Sequence, residues 1–217
     1  MAKRAILFLH GFASSDQATK AKYLRERLAE TGAGAGFHAI NFNPTPTDFE
    51  WLTPTGMIDR VRQYILDHEL EPLSLIASSL GGLIGVNYAH RYGSVDRMLL
   101  LAPLLRWPSI WDSEAVMARW EEEGSMPVSH YALPGRPRLR FDFQVDGRRY
   151  GEWVPPAAPT VIVHSRDDDI VPVEGSRAYA QQYPDRVRLL ELRAAGHDMN
   201  DHLPTIWEQV QSLMVEG

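Results

Sequence analysis

The stretch Leu75-Ile76-Ala77-Ser78-Ser79-Leu80-Gly81-Gly82 decides how the rest of the chain is read. A mostly apolar run over residues 73–77 passes into a pair of serines and at once into a glycine-led helical pattern over 81–92. Where a strand turns that sharply into a helix, the positions two before and two after the turn residue must be small, because strand and helix come closest there. Around Ser79 those neighbours are Ala77 and Gly81; around Ser78 they are the bulky Ile76 and Leu80. Ser79 is therefore the candidate nucleophile of a G-x-S-x-G elbow in which Ala77 stands for the first glycine. A hydroxyl there also sits at a helix N-terminus, where the peptide dipoles favour developing negative charge. The same small residues would let a helix pack closely on a strand with no chemistry attached, so the stretch alone leaves both readings open.

Outward from this point, short apolar runs alternate with helical patterns. Strands are expected at Ala5–Leu9, 37–42, 73–77, Val95–Leu101, 160–164 and Val187–Leu192. Helices are expected at 20–30, around Met57, Val61, Ile65 and His68, at 81–92, at Val173–Gln182 and at 203–214. Strands that are apolar throughout and separated by helices predict a parallel sheet covered on both faces. Residues 104–156 break the rhythm. They carry Trp107, Trp111, Trp120 and Trp153, the run Glu121-Glu122-Glu123, and arginines at 136, 138, 140, 148 and 149. Phe141-Asp142-Phe143-Gln144-Val145 before Asp146-Gly147 reads as the first arm of a β-hairpin. An insertion of this size inside an α/β domain is expected to be a lid, giving a core of 1–103 and 157–217 with a lid of 104–156. Its tryptophans suit an apolar wall for an acyl or aryl group or the insertion's own small core, and its arginines suit a solvated face.

Composition limits the chemistry. The chain has 217 residues, 44% hydrophobic and 23% charged, the profile of one soluble globular domain. It holds no cysteine, which excludes disulfides, thiolate metal sites and a thiol nucleophile and leaves serine, threonine, lysine or a carboxylate to attack. A net charge of -6 argues against a nucleic-acid partner. No apolar run reaches the roughly 18 residues a membrane span requires. Met1-Ala2-Lys3-Arg4 precedes only five apolar residues that end in His10-Gly11, so a secretory signal is not expected and a cytoplasmic location is.

Three further segments bear on Ser79. Leu9-His10-Gly11-Phe12 closes the first strand, and the N–H groups of Phe12 and Leu80 are placed to form an oxyanion hole. Asp167-Asp168-Asp169 follows the fifth strand, at the sheet end where α/β proteins gather ligand and catalytic groups. Chemistry alone does not choose among the three aspartates. Ala195-Gly196-His197-Asp198 follows the last strand and offers a histidine able to reach over the serine. His38, His68, His90, His130 and His202 lie in less suitable places, and His164 closes a strand, pointing to the core or to the Asp168 backbone. A metal site from His197, Asp198, Asp201 and His202 is a weaker reading.

With these segments in order, the chain resembles the serine hydrolases of the α/β-hydrolase superfamily, of the small carboxylesterase type, over nearly its whole length. The pattern H-G-x-x-D-x-x-V-P is matched by His164 to Pro172 with Ser165 in place of glycine, and that register selects Asp168, three before Val171. The order Ser79, Asp168, His197 is the family's order. The resemblance implies a three-layer α/β/α sandwich with a mostly parallel sheet and an inserted lid. It implies acyl transfer through Ser79, His197 and Asp168 with no cofactor and no metal. The expected substrate is a small-molecule ester of a small to medium acyl chain; an acyl thioester, or a non-catalytic ligand-binding scaffold, are the alternatives.

Overall fold

The computed structural model describes residues 5–32, 36–108 and 112–215; residues 1–4 and Trp111, named above, lie outside these. β1 (Ala5–Leu9) is buried at every position. α1 (Thr19–Glu30) buries Lys20, Ala21, Leu24 and Leu28, one stripe at helical spacing. β2 (Phe37–Ile40) stops two residues short of the expected run. α2 (Pro46–Glu50) escaped the periodicity reading because it is too short to show one. Its signal is a cap instead: the Thr45 hydroxyl accepts the Asp48 N–H, the Asp48 carboxylate accepts the Thr45 N–H, and Pro46 opens the helix.

α3 (Pro54–Asp67), β3 (Leu73–Ser78), α4 (Leu80–Tyr92) and β4 (Val95–Leu101) follow as the apolar patterns predict. Next come α5 (Glu114–Glu123), the short antiparallel pair β5 (Ser125–Pro127) and β6 (Arg138–Arg140), and α6 (Asp142–Gly147). β7 (Thr160–Ser165), α7 (Val173–Gln182), β8 (Val187–Leu192) and α8 (Leu203–Val210) complete the chain, α8 passing into a π-helical turn over Gln211–Val215.

The large sheet is parallel in every pairing, in the order β2-β1-β3-β4-β7-β8. Alternate residues of each strand face opposite layers. Leu7, Leu9, Leu75, Ala77, Met98, Leu100 and Ile162 pack with α3 and α4, whereas Ile6, Phe8, Ile76, Leu99, Val161 and Val163 pack with α1 and α8. The result is a three-layer α/β/α sandwich. Chain direction across the sheet reverses at β1, which is followed by β2 on one side and has β3 on the other. Loops leaving the carboxyl ends of β1 and β3 therefore part and open a crevice between them, the usual place for a ligand in such sheets.

The expected hairpin at 141–145 is not formed. Phe143, Gln144 and Gly147 are buried while Val145 is exposed, a helical spacing and not an alternation. Gly147 is not a turn glycine: its φ is -56°, and an added Cβ would sit 2.2 Å from Trp107 Cε2. The residue is small because the Trp107 indole lies on it. Segment 104–156 is pinned to the sandwich by the Tyr131 N–H donating to the Ala13 carbonyl at 3.0 Å, and by Asp146, which accepts from the Thr55 N–H and hydroxyl.

Candidate active site

Ser79 joins β3 to α4 with φ 54° and ψ -121°, a conformation sparsely populated by any residue with a side chain. Its main chain is fixed from both sides: the N–H donates to Leu101 O at 2.9 Å, and the carbonyl accepts from the N–H groups of Gly82 and Leu104. The neighbours' small size has a visible cause. A Cβ on Gly81 would lie 2.4 Å from Leu9 O and 2.8 Å from His10 O, so only glycine lets α4 start this close to the end of β1. One turn on, a Cβ on Gly85 would meet the Ala77 Cβ at 3.4 Å.

The Ser79 hydroxyl faces His197 Nε2 at 3.0 Å. His197 Nδ1 faces Asp168 Oδ2 at 2.8 Å and Oδ1 at 3.0 Å. Opposite a carboxylate, Nδ1 carries the proton, which leaves Nε2 to accept from the serine. Of the three aspartates, Asp168 alone reaches His197. Its side chain is fully buried, and Oδ1 also accepts from the Ile170 and Val171 N–H groups. Asp167 turns the other way and accepts the Ala194 N–H at 2.6 Å, steadying the loop that carries His197. Asp169 is exposed. Burial by itself would raise the Asp168 pKa; hydrogen bonds from His164, His197 and the Val171 N–H outweigh it and hold the carboxyl well below its ordinary range.

His164 corrects an expectation: it addresses the Asp168 side chain, not its backbone. Its Nε2 lies 3.1 Å from Asp168 Oδ2 and 2.9 Å from the Val171 carbonyl, two acceptors, so Nε2 is protonated. Its Nδ1 then accepts from the Ser176 hydroxyl at 2.8 Å. Both ring nitrogens of this fully buried side chain have partners, and Asp168 is gripped between two imidazoles.

His10, which the sequence marked only as part of a His-Gly turn, is buried as well. Its Nδ1–H donates to Gly11 O at 2.8 Å, and Nε2 accepts the Phe42 N–H at 3.1 Å. Burial lowers its pKa to about 4, so the ring is neutral and serves as a fixed brace for the loop leading to Phe12. In that loop a Cβ on Gly11 would come within 3.0 Å of the Ser79 Cβ. Phe12 is next in the chain after Gly11, and Leu80, first residue of α4, follows Ser79.

These groups open onto a cavity of about 1190 Å³ lined by, among others, Phe12, Ser79, Tyr131, Leu133, Ile170 and His197. None of the described tryptophans lines it. Trp107 and Trp120 are buried within segment 104–156, their indole N–H groups donating to Gln144 and to the Leu139 carbonyl. Trp153 is half-buried, with the Arg106 guanidinium 5.0 Å from its ring. The arginines at 138, 140 and 149 pair with Ser125, Asp142 and Asp146 on the outer surface. His130 accepts from the Ala132 and Leu133 N–H groups and stands 2.9 Å from the Asn43 amide. Among the described residues no group of three or more His, Asp or Glu could hold a metal ion, and no helix is long and apolar enough to cross a membrane.

Comparison with solved structures identifies the architecture as the α/β-hydrolase fold. A protein from Agrobacterium vitis S4 superposes with a TM-score of 0.77 at 18% identity, covering 95% of this chain and 87% of that one. Mouse alpha/beta hydrolase domain-containing protein 10 gives 0.72 at 19% identity, covering 96% and 90%. Est1E from Butyrivibrio proteoclasticus, solved with ferulic acid bound, gives 0.69 at 17% identity, covering 96% and 86%. No curated protein matches in sequence. The model of one sequence family matches residues 5–211, nearly the whole chain, and the protein thereby belongs to the Uncharacterised protein family (UPF0227).

Proposed function

We propose that this protein is a serine hydrolase that cleaves carboxylic esters of small to medium acyl chains, with Ser79 as nucleophile, His197 as general base and acid, and Asp168 as the carboxylate that orients it. One observation carries the reading: the unbroken hydrogen-bonded chain from Ser79 Oγ through His197 to Asp168, from a serine in strained backbone at a crevice of the sheet. The positive φ at Ser79 is the backbone form by which a nucleophile elbow lifts its hydroxyl clear of the strand.

In this reading His197 Nε2 takes the Ser79 proton as the oxygen attacks the ester carbonyl. The main-chain N–H groups of Phe12 and Leu80 receive the negative oxygen, preorganised by the His10 brace and by the start of α4. The tetrahedral adduct collapses, His197 protonates the departing alkoxide, and water repeats the sequence on the acyl-enzyme to return the acid and free Ser79. Asp168, kept anionic by its donors, stabilises the imidazolium formed at each step. Segment 104–156 acts as the cap over this cleft, bringing Tyr131 and Leu133 to its lining. That Est1E holds a carboxylic acid supports an acyl-binding use of the same fold.

Labelling with a fluorophosphonate probe, read by mass spectrometry, tests the assignment. The expected result is a single adduct on Ser79 and hydrolysis of 4-nitrophenyl butyrate that falls by about 10⁴ or more in Ser79→Ala. An unlabelled folded protein, or a Ser79→Ala variant of full activity, overturns it.

A further inference from the structure

The cavity holds a charged group that the hydrolytic machinery does not use. Lys20 lies in the first turn of α1, where its neighbours Ala21 and Leu24 are packed into the core, and it is itself only 8% exposed. Lys20 lines the cavity together with Ser79 and His197. The ammonium donates to the main-chain carbonyl of Asp198, the residue after His197, at 2.5 Å. Among the described residues that is its one hydrogen-bond partner, so two of its three N–H groups have no protein acceptor.

Among the described residues no carboxylate forms an ion pair with Lys20. Asp198 turns its oxygens onto the Asn200 N–H and side-chain amide, and Asp16 accepts from Gln17. A second cation, the exposed Lys22, stands on the same wall. Burial pulls the Lys20 pKa down and the field of Asp198 opposes this. An ammonium taken out of water against a single neutral carbonyl is poorly compensated. Holding the Asp198 carbonyl in place needs only a donor; an amide side chain would supply one with no charge to bury. The positive charge itself therefore calls for an anionic partner that enters the cavity.

Lys20 also has a side. His197 hands its proton to the departing alkoxide, so the alcohol part of an ester lies toward His197, and the carbonyl oxygen lies toward Phe12 and Leu80. Lys20 is attached one residue beyond His197. On this basis, and resting on the hydrolase reading above, we propose that Lys20 is the anion-receiving group of the active-site cavity and that the esters this protein prefers carry a carboxylate on their alcohol part.

The test compares two aryl butyrates of matched shape and leaving-group chemistry, 4-(carboxymethyl)phenyl butyrate and the neutral 4-(carbamoylmethyl)phenyl butyrate. The wild type is expected to prefer the carboxylate ester in kcat/KM by about tenfold or more, the worth of one charge-assisted hydrogen bond. Lys20→Gln keeps a donor for the Asp198 carbonyl and loses the charge; Lys20→Met loses both. Both variants should erase the preference, chiefly through KM, with the loss in kcat/KM for Lys20→Gln at least about fivefold larger on the carboxylate ester than on the neutral one. Equal losses on the two esters in Lys20→Gln mark a positioning role only and overturn the proposal. Should both variants fail to fold, the wild-type ratio decides alone: a ratio near one overturns it. A wild type that cleaves the neutral ester without preference defeats this inference and leaves the hydrolase reading standing. A wild type that cleaves neither ester and takes no probe at Ser79 defeats both.

Discussion

The loops that gather at the carboxyl ends of β1, β3, β7 and β8 and the segment between β4 and β7 are held by different forces. In the first region, position is set by short directional bonds. Asp168 receives two main-chain N–H groups and two imidazoles, Asp167 holds Ala194, and His10 spans Gly11 and Phe42. In the second, position is set by aromatic bulk. Trp107 packs on Gly147 and edge-on to Phe143, and Trp120 packs edge-on to Phe141. Directional bonds fix an atom to a few tenths of an ångström, which a proton relay requires. Aromatic packing fixes a shape and gives most of its stabilisation through area removed from water.

The two regions should therefore fail differently. Asp168→Asn is expected to lower kcat by about 10⁴ through the wrong imidazole tautomer, while unfolding stays cooperative. Asp167→Asn and Asp169→Asn should stay within about tenfold of wild type, since neither carboxylate reaches His197. Similar losses for all three, measured by ester turnover, would erase the distinction drawn at Asp168.

Trp107→Ala works from the other side. Emptying the space over Gly147 should cost ~3–5 kcal/mol in urea unfolding, while protein still folded continues to take the fluorophosphonate probe at Ser79. A variant of wild-type stability that no longer labels would show the aromatic segment to be part of the relay.

The smallest expected effect is a pH dependence, about 3 kcal/mol at its full extent. Between its folded value of about 4 and its ordinary 6.5, His10 binds a proton only in the unfolded chain. Stability is thus complete above pH 6.5 and declines as pH falls toward 4, by ~3 kcal/mol in all. Asp168 adds a further loss only below its ordinary value of 3.8, because its folded pKa is depressed. In His10→Gln the decline between pH 6.5 and 4 should become shallower, as read from urea midpoints, the remainder coming from His38 and His130, whose pKa values burial also lowers. If it persists unchanged, the loop before Phe12 is held by something other than a neutral imidazole.

What could be read in the sequence follows the same division. The parallel sheet was legible because each strand is a continuous apolar run, and Ser79 was separable from Ser78 because the size of four neighbours is local information. Asp168 was separable from Asp167 and Asp169 only through the resemblance, whose H-G-x-x-D-x-x-V-P pattern sets its register to Val171-Pro172. Contacts made across the fold left no such trace. Nothing in the pattern around His164 indicates that its ring meets a carboxylate four residues on and a Ser176 hydroxyl on the next helix. Lys20 looks like any surface lysine of an amphipathic helix until the carbonyl of Asp198 arrives from the far end of the chain. Asp146-Gly147 misled for the same reason: the glycine answers to an indole forty residues earlier, which no turn rule includes.

The bond between Tyr131 and Ala13 joins the two regions, and it is made entirely of main chain. The Tyr131 side chain itself is 93% exposed. Ala13 is buried at positive φ and has little freedom to change, whereas substitution at 131 leaves the donor where it is and alters only the exposed surface. Proline, which has no N–H, or a change in loop length are the changes that would cut it. Residue 131 is thus a place where the side chain can change while the main-chain anchor of the segment stays.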